Sequence, residues 1–394
     1  MRGEHSQGTQ HRLPEPDADA RAHSGRVIAS IARAIERADG FLPFDRYMQL
    51  ALYAPGLGYY VAGARKFGPG GDFVTAPELS ALFGGALAVQ VGAILAATQT
   101  RTVVEFGAGS GKLAADLLNA LAARGNAPAR YLIVELSPEL RERQRATIAR
   151  LAPAHRHRVE WIAEPPATIA GAVVLNEVLD AVPPHVIARE GGAWLERGVV
   201  NRDGRLALAS RPLRDARLVA LALARFPADG DYMSEINPAA EALVEDVGTR
   251  LVAGALLVID YGFSRAEYYH PQRREGTLMG HYRHRAHGDA LLWPGLSDLT
   301  AHVDFTALAE AGERAGLHVA GFATQAAFLL GSGLLDLLQA VGSADSVAYL
   351  RDAAAVQKLT SPAEMGELFK VLALARGDGI AWPGFALADM SHRL

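Results

Sequence analysis

The run Thr102–Leu118, TVVEFGAGSGKLAADLL, decides the fold. Its first five residues are mostly apolar and β-branched, which fits a short strand buried in a parallel sheet. A glycine turn follows, Gly107-Ala-Gly109-Ser-Gly111, and then Lys112–Leu121 sets Leu113, Leu117, Leu118 and Leu121 on one helix face. Strand, glycine turn and helix together build the ligand site of an open α/β sheet. The glycines let the backbone approach a ligand, and the helix N-terminus offers unpaired N–H groups.

The spacing narrows the ligand. A dinucleotide turn reads G-x-G-x-x-G, whereas here the third glycine comes one residue early and Lys112 stands where the late glycine would be. Glu105, on the strand just before the turn, opposes an anionic pyrophosphate and suits a ligand that carries an ammonium and a sulfonium. Glu135 ends the next strand, Tyr131–Val134, 24 residues after Gly111, where a carboxylate commonly binds a ribose diol. The pattern E-x-G-x-G-x-G followed by a ribose acid resembles the class I S-adenosylmethionine-dependent methyltransferases. That resemblance implies S-adenosyl-L-methionine as cofactor, bound by Glu105, Gly107, Gly109, Gly111, Glu135 and Leu136. On the motif alone, a Rossmann-like turn that binds NAD or nothing stays open.

The chain has 394 residues, half of them apolar, with a net charge of −4 and no cysteine. Disulfides, thiol catalysis and cysteine zinc sites are therefore excluded. The charge balance, without a long basic run, argues against nucleic acid as the main partner. The longest apolar stretch, Ala86–Ala97, is short for a bilayer and is interrupted by Gln90 and Gly92, so no membrane insertion is expected. The N-terminus has no apolar signal core, and Glu4, Glu15, Asp17 and Asp19 count against a transit peptide. A soluble cytoplasmic protein is the expectation, with a mitochondrial matrix location the lesser alternative.

Along the chain, residues 1–24 read as a disordered tail and 25–100 as an N-terminal helical and lid region. Within it, helices are expected from Val27 to about Gly40, over Phe44–Leu52 and over Glu78–Ala97. The intervening 58–78 is dense in Gly, Pro and aromatics, which suggests a shaped ligand wall. A core over 101–325 carries insertions at 185–235 (three β-strands) and 263–300, and 326–394 is expected to be helical. Strands are expected at Ala172–Leu175, Ala255–Ile259 and Leu317–Phe322, the last giving a late β-hairpin.

Five motifs occur in order: Pro55–Tyr60 (P-x-x-G-Y-Y), Gly71–Ser80 (G-D-F-x-T-x-P-E-x-S), the glycine turn, Asn176–Pro183 and Asp298–Phe305. Together they resemble the MidA-like methyltransferases, relatives of a mitochondrial complex I assembly-factor arginine methyltransferase. The likeness spans about 41–330. It implies a Rossmann-like α/β class I sheet, seven-stranded and mostly parallel, flanked by N-terminal helices, a β insertion and C-terminal helices. It also implies methyl transfer to a protein arginine, linked to assembly of a respiratory complex. Gly71, Asp72, Thr75 and Pro77 would join the cofactor site; Glu78, Tyr59, Tyr60, Glu235 and His302 would bind substrate. A non-catalytic assembly or chaperone-type protein that keeps this fold is the alternative.

Ligands of such sheets sit beyond the carboxyl ends of the strands, so Asn176, Glu177 and Asp180 should face the transferable methyl group. A guanidinium is permanently charged and a poor nucleophile, but paired carboxylates can grip it and localise its charge. Glu177 and Asp180 are the candidates for that role, with Glu235 third; capping of the turn before Pro183 is the plain structural reading of Asp180. Residues 263–297 suggest an irregular arm rich in Tyr, His and Arg, over the active site or in a homodimer contact. His281, His284 and His287 recur every third residue, yet no acid or cysteine set completes a zinc site and methyl transfer needs no metal, so none is assigned. His302 and Asp304 could form a general-base pair, or only a structural hydrogen bond.

Overall fold

The structure, a computed structural model, describes residues 13–62 and 75–394. Seven strands form the central sheet: Thr102–Phe106, Arg130–Val134, Val159–Ile162, Ile169–Asn176, Leu251–Phe263, His318–Thr324 and Phe369–Arg376. Numbered in that order, they lie 6-7-5-4-1-2-3 across the sheet. The seventh runs antiparallel to both of its neighbours, and the others run one way. Val303–Asp304 adds a short parallel pairing to the end of the fifth strand.

Both sheet faces are covered, which is why its strands are apolar throughout. Val104, Val173, Leu256 and Leu374 pair across four strands on one face, packed under the helices Pro238–Arg250 and Phe305–Arg314. Val103, Ala172, Ala255 and Ala375 pair on the other, under the helix Ala81–Thr98. That helix is apolar on every side because the sheet, the helix Lys112–Ala123 and C-terminal helices enclose it.

Several expectations are corrected. Residues 13–24 do not form a disordered tail: the first helix starts at Ala18, where Asp17 accepts the Ala20 N–H at 2.9 Å, and Ser24 is buried against Pro294. The helix expected over Glu78–Ala97 breaks at Ser80 (φ −160°), whose hydroxyl caps a new helix by accepting from Leu82 N–H. The C-terminal region is not wholly helical. The helices Gln325–Gly331, Leu334–Gln339 and Val347–Thr360 give way to the seventh strand, which inserts between the fifth and sixth. The sixth and seventh strands are thus antiparallel neighbours without a hairpin turn.

The insertion contains the three expected strands, His185–Glu190, Ala193–Arg202 and Arg205–Pro212, with Tyr232–Ile236 and Leu42–Pro43 completing a five-stranded sheet. Its helix Ala216–Arg225, capped by Asp215, had no counterpart in the sequence reading. The arm is not irregular either: Met279–Tyr282, Arg285–His287 and Asp298–Thr300 form a small antiparallel sheet. The arm is tied to the N-terminal helices by Ser24 Oγ to Pro294 O at 3.0 Å and Tyr47 OH to Ala290 O at 2.7 Å.

Candidate active site

A cleft opens at the carboxyl ends of the first, second and fourth strands. Gly107, Gly109 and Gly111 take φ values of +58°, +51° and +82°, a region that side chains disfavour. A Cβ on Gly111 would also lie 3.0 Å from Gln144 Cα. The turn therefore leaves bare backbone beside the cleft, as its glycines predict.

Among the described residues, the lining carries five carboxylates, Glu78, Glu105, Glu135, Glu177 and Asp180, and no Lys or Arg. Such a wall disfavours an anionic pyrophosphate and suits cationic ligand groups, which counts against the NAD reading. Glu105 is buried, and the desolvation pushes its carboxyl up to about 7, although it accepts the Tyr131 hydroxyl at 2.6 Å. Glu135 takes Ser137 N–H on one oxygen at 2.9 Å and Gln144 Nε2 on the other at 3.0 Å. Each oxygen keeps capacity to accept from a diol. Glu78 sits on the short helix Ala76–Leu79 and accepts the Ser110 hydroxyl of the glycine turn.

Thr75, Pro77 and Glu78 line the cleft as expected, so Glu78 stands at the cofactor turn rather than apart from it. Gly71 and Asp72 lie outside the described residues. Leu136 follows Glu135 with 75% of its surface exposed, an apolar face beside the ribose acid that a flat heterocycle could cover. These groups fit S-adenosyl-L-methionine: bare backbone at the turn, a held acid for the ribose, and carboxylates for the cationic end.

Asn176, Glu177 and Asp180 meet where the fourth strand ends. Glu177 has a left-handed backbone (φ +52°), held by its N–H to Ile259 O at 2.8 Å. Its carboxylate accepts Ala76 N–H and Asn176 Nδ2, both at 3.3 Å. Burial first, then the nearby Asp180 charge, raises its pKa to about 8. Burial likewise raises Asp180 to about 6, partly offset by the Tyr261 hydroxyl. Neither that hydroxyl nor Asp180 Oδ1 meets hydrogen-bond geometry, and Asn176 Oδ1 is also buried without a donor.

Other expected substrate residues divide. Tyr60 lines the cleft, stacks on Tyr53 at 5.5 Å and donates to Asp298 Oδ1 at 2.9 Å. Tyr59 instead belongs to the N-terminal core. Glu235 is outside the cleft lining and anchors the arm, accepting Thr277 N–H at 2.9 Å, Leu278 N–H at 3.1 Å and the Tyr268 hydroxyl at 3.2 Å. His302 is packed between Tyr261 and Phe263, and burial lowers its pKa to about 4. Asp304 caps the next helix and pairs with Arg265 at 3.5 Å, so the two form no general-base pair.

Four contributors were missed from sequence: Tyr53, Gln144, Asp260 and Asp298. Asp260 had a usable signal, an acid at the carboxyl end of the fifth strand. Of the other three, Tyr53 lines the cleft from its helix, whereas Gln144 and Asp298 reach it only through Glu135 and Tyr60.

Residues 86–323 match the family described as "Putative S-adenosyl-L-methionine-dependent methyltransferase". The Drosophila melanogaster protein arginine methyltransferase NDUFAF7 homolog, mitochondrial, is 29% identical over 92% of this chain and 88% of its own length. The Mus musculus protein of that name is 30% identical, covering 86% of this chain and 82% of its own. A Burkholderia thailandensis crystal structure bound to S-adenosyl-homocysteine superposes with a TM-score of 0.94 and 51% identity, covering 97% of this chain and all of that one. The relatives' mitochondrial names overturn the cytoplasmic expectation. That expectation rested on missing cysteine, which does not separate two reducing compartments, and on N-terminal acids read as counting against a transit peptide. With the cleft, the glycine turn and the Glu135 carboxylate in place, the chain belongs to the S-adenosyl-L-methionine-dependent methyltransferase family.

Proposed function

We propose that this methyltransferase acts on an arginine guanidinium of a protein, gripped by Glu177 and Asp180. The observation that carries the reading is the pairing of buried Asp180 with half-buried Glu177 at the end of the fourth strand, in a cleft whose described lining residues include no Lys or Arg. Paired carboxylates of this kind suit a planar cation with a fork of N–H donors. The names of the relatives, protein arginine methyltransferases, support the same acceptor class, and the family resemblance suggests a respiratory-complex subunit.

When bound, S-adenosyl-L-methionine supplies an electrophilic methyl group. The chain's own residues orient the acceptor and keep water out: Tyr53 and Tyr60 wall the pocket, and Asn176 steadies Glu177. Desolvation and the Asp180 charge raise the Glu177 pKa to about 8, and a bound guanidinium would lower it by stabilising the carboxylate. The rate then comes from alignment more than from a strong base.

The test uses tritiated S-adenosyl-L-methionine with extract from cells lacking the enzyme, followed by acid hydrolysis of the labelled protein. Label recovered as methylarginine, lost with Glu177→Gln while calorimetric binding of S-adenosyl-L-methionine persists, is the expected result. Label in methyllysine or released as methylamine, or full turnover by Glu177→Gln, would sink the clamp.

A further inference from the structure

Gln144 is a polar side chain with no exposed surface, on the helix Pro138–Leu151 and outside the cleft lining. Its amide nitrogen donates to Gly109 O of the glycine turn at 3.1 Å and to Glu135 Oε2 at 3.0 Å. Its amide oxygen accepts the Trp161 indole N–H at 2.8 Å. Both donors face cofactor-binding groups and the acceptor faces away, so the amide has one orientation only; reversed, its oxygen would oppose a carboxylate and a carbonyl. The same residue packs its Cα where a Cβ on Gly111 would fall, at 3.0 Å.

We propose that Gln144 is a positioning residue that ties the glycine turn to the ribose carboxylate and sets the enzyme's preference for an intact ribose diol. Ser137 N–H holds one oxygen of Glu135, and Gln144 holds the other. Arg141 fixes the same residue's backbone carbonyl at 2.7 Å. With one donor on each oxygen, the carboxylate plane is set and one acceptor direction per oxygen remains for a hydroxyl. Without Gln144, Glu135 Oε2 loses its only hydrogen bond to a described residue, and the carboxylate can turn about its last bond.

Trp161 makes the arrangement observable. The other tryptophans lie in the insertion (Trp194), in the arm against Tyr282 (Trp293) and beside Phe385 (Trp382), and none lines the cleft. Ligand binding at the ribose site should alter indole emission through Gln144.

The experiment measures binding of S-adenosyl-homocysteine and its 2′-deoxy analogue by calorimetry and by tryptophan fluorescence. The native enzyme is expected to prefer the intact ribose by roughly tenfold, one hydrogen bond to a charged group. In Gln144→Leu that preference should fall below about threefold, and the emission change at saturation should vanish, as it should in Trp161→Phe. An undiminished ribose preference, or an unchanged emission response in Gln144→Leu, overturns the proposal. If the leucine variant does not fold, Gln144→Asn decides, since it keeps the amide but shortens its reach. Reduced ribose preference supports the proposal, and full retention overturns it.

Discussion

Asp260 holds Asp180 by its backbone: one carboxylate oxygen accepts Asp180 N–H at 3.2 Å and Leu179 N–H at 3.0 Å, and the other takes Tyr261 N–H at 2.9 Å. It stands on the fifth strand, next to the fourth strand whose turn it pins. The cost is a fully buried acid beside Asp180 and Glu177, and burial with those two charges drives its pKa well above the usual carboxylate range. The backbone at Asp180 thus depends on a side chain outside the cleft lining.

Asp260→Ala should therefore destabilise the protein as well as its site. Two buried N–H groups and a part-buried one lose their acceptor, at about 1 kcal/mol each, or about 3 kcal/mol together. Urea denaturation measures this. A loss under about 1 kcal/mol would mean the turn holds itself.

Glu177→Gln should change how stability depends on pH. The native pKa of about 8 lies above the ordinary value, so the group's contribution is fully present in acid and is lost as pH rises through 8. Glutamine keeps an oxygen for Ala76 N–H but does not titrate. The variant's stability relative to the native chain should rise between pH 5 and 9, by about 2 kcal/mol or more. Melting temperatures across that range test the sign; a flat difference would place Glu177 in a wetter setting.

How much was legible follows from where each signal resides. Thr102–Leu118 carried strand, turn and helix in one local run, and the structure keeps all three. The position of Asn176, Glu177 and Asp180 at the cleft was legible because strand ends border the cleft in this architecture. Glu235 and His302 misled because an acid or an imidazole in sequence says nothing of its neighbours. Glu235 accepts arm N–H groups 42 and 43 residues away, and His302 stacks on Phe263 and meets Tyr261 edge-on. Gln144 and Tyr53 carry no motif and enter the site only because their helices pack there.

Gly111→Ala should weaken S-adenosyl-L-methionine binding at least tenfold. The residue sits at φ +82°, where a side chain costs roughly 1–2 kcal/mol, and its Cβ would press on Gln144 Cα. Calorimetry on the folded variant measures it. Native affinity would mean that the turn relaxes without moving Gly109 or Glu135.

Truncation after Thr360 tests the topology itself. It leaves every cleft residue in the chain, yet removes Phe369–Arg376, the strand that joins the fifth to the sixth. Val371, Leu372, Ala373 and Leu374 are fully or almost fully buried, and the fifth strand would lose eight paired positions. A sheet opened in its middle exposes apolar faces and an unpaired edge, which favours aggregation. The truncated chain should be insoluble or lack a cooperative melt by circular dichroism. A truncated protein that still melts cooperatively and binds S-adenosyl-L-methionine would show that the first five strands form a sheet by themselves.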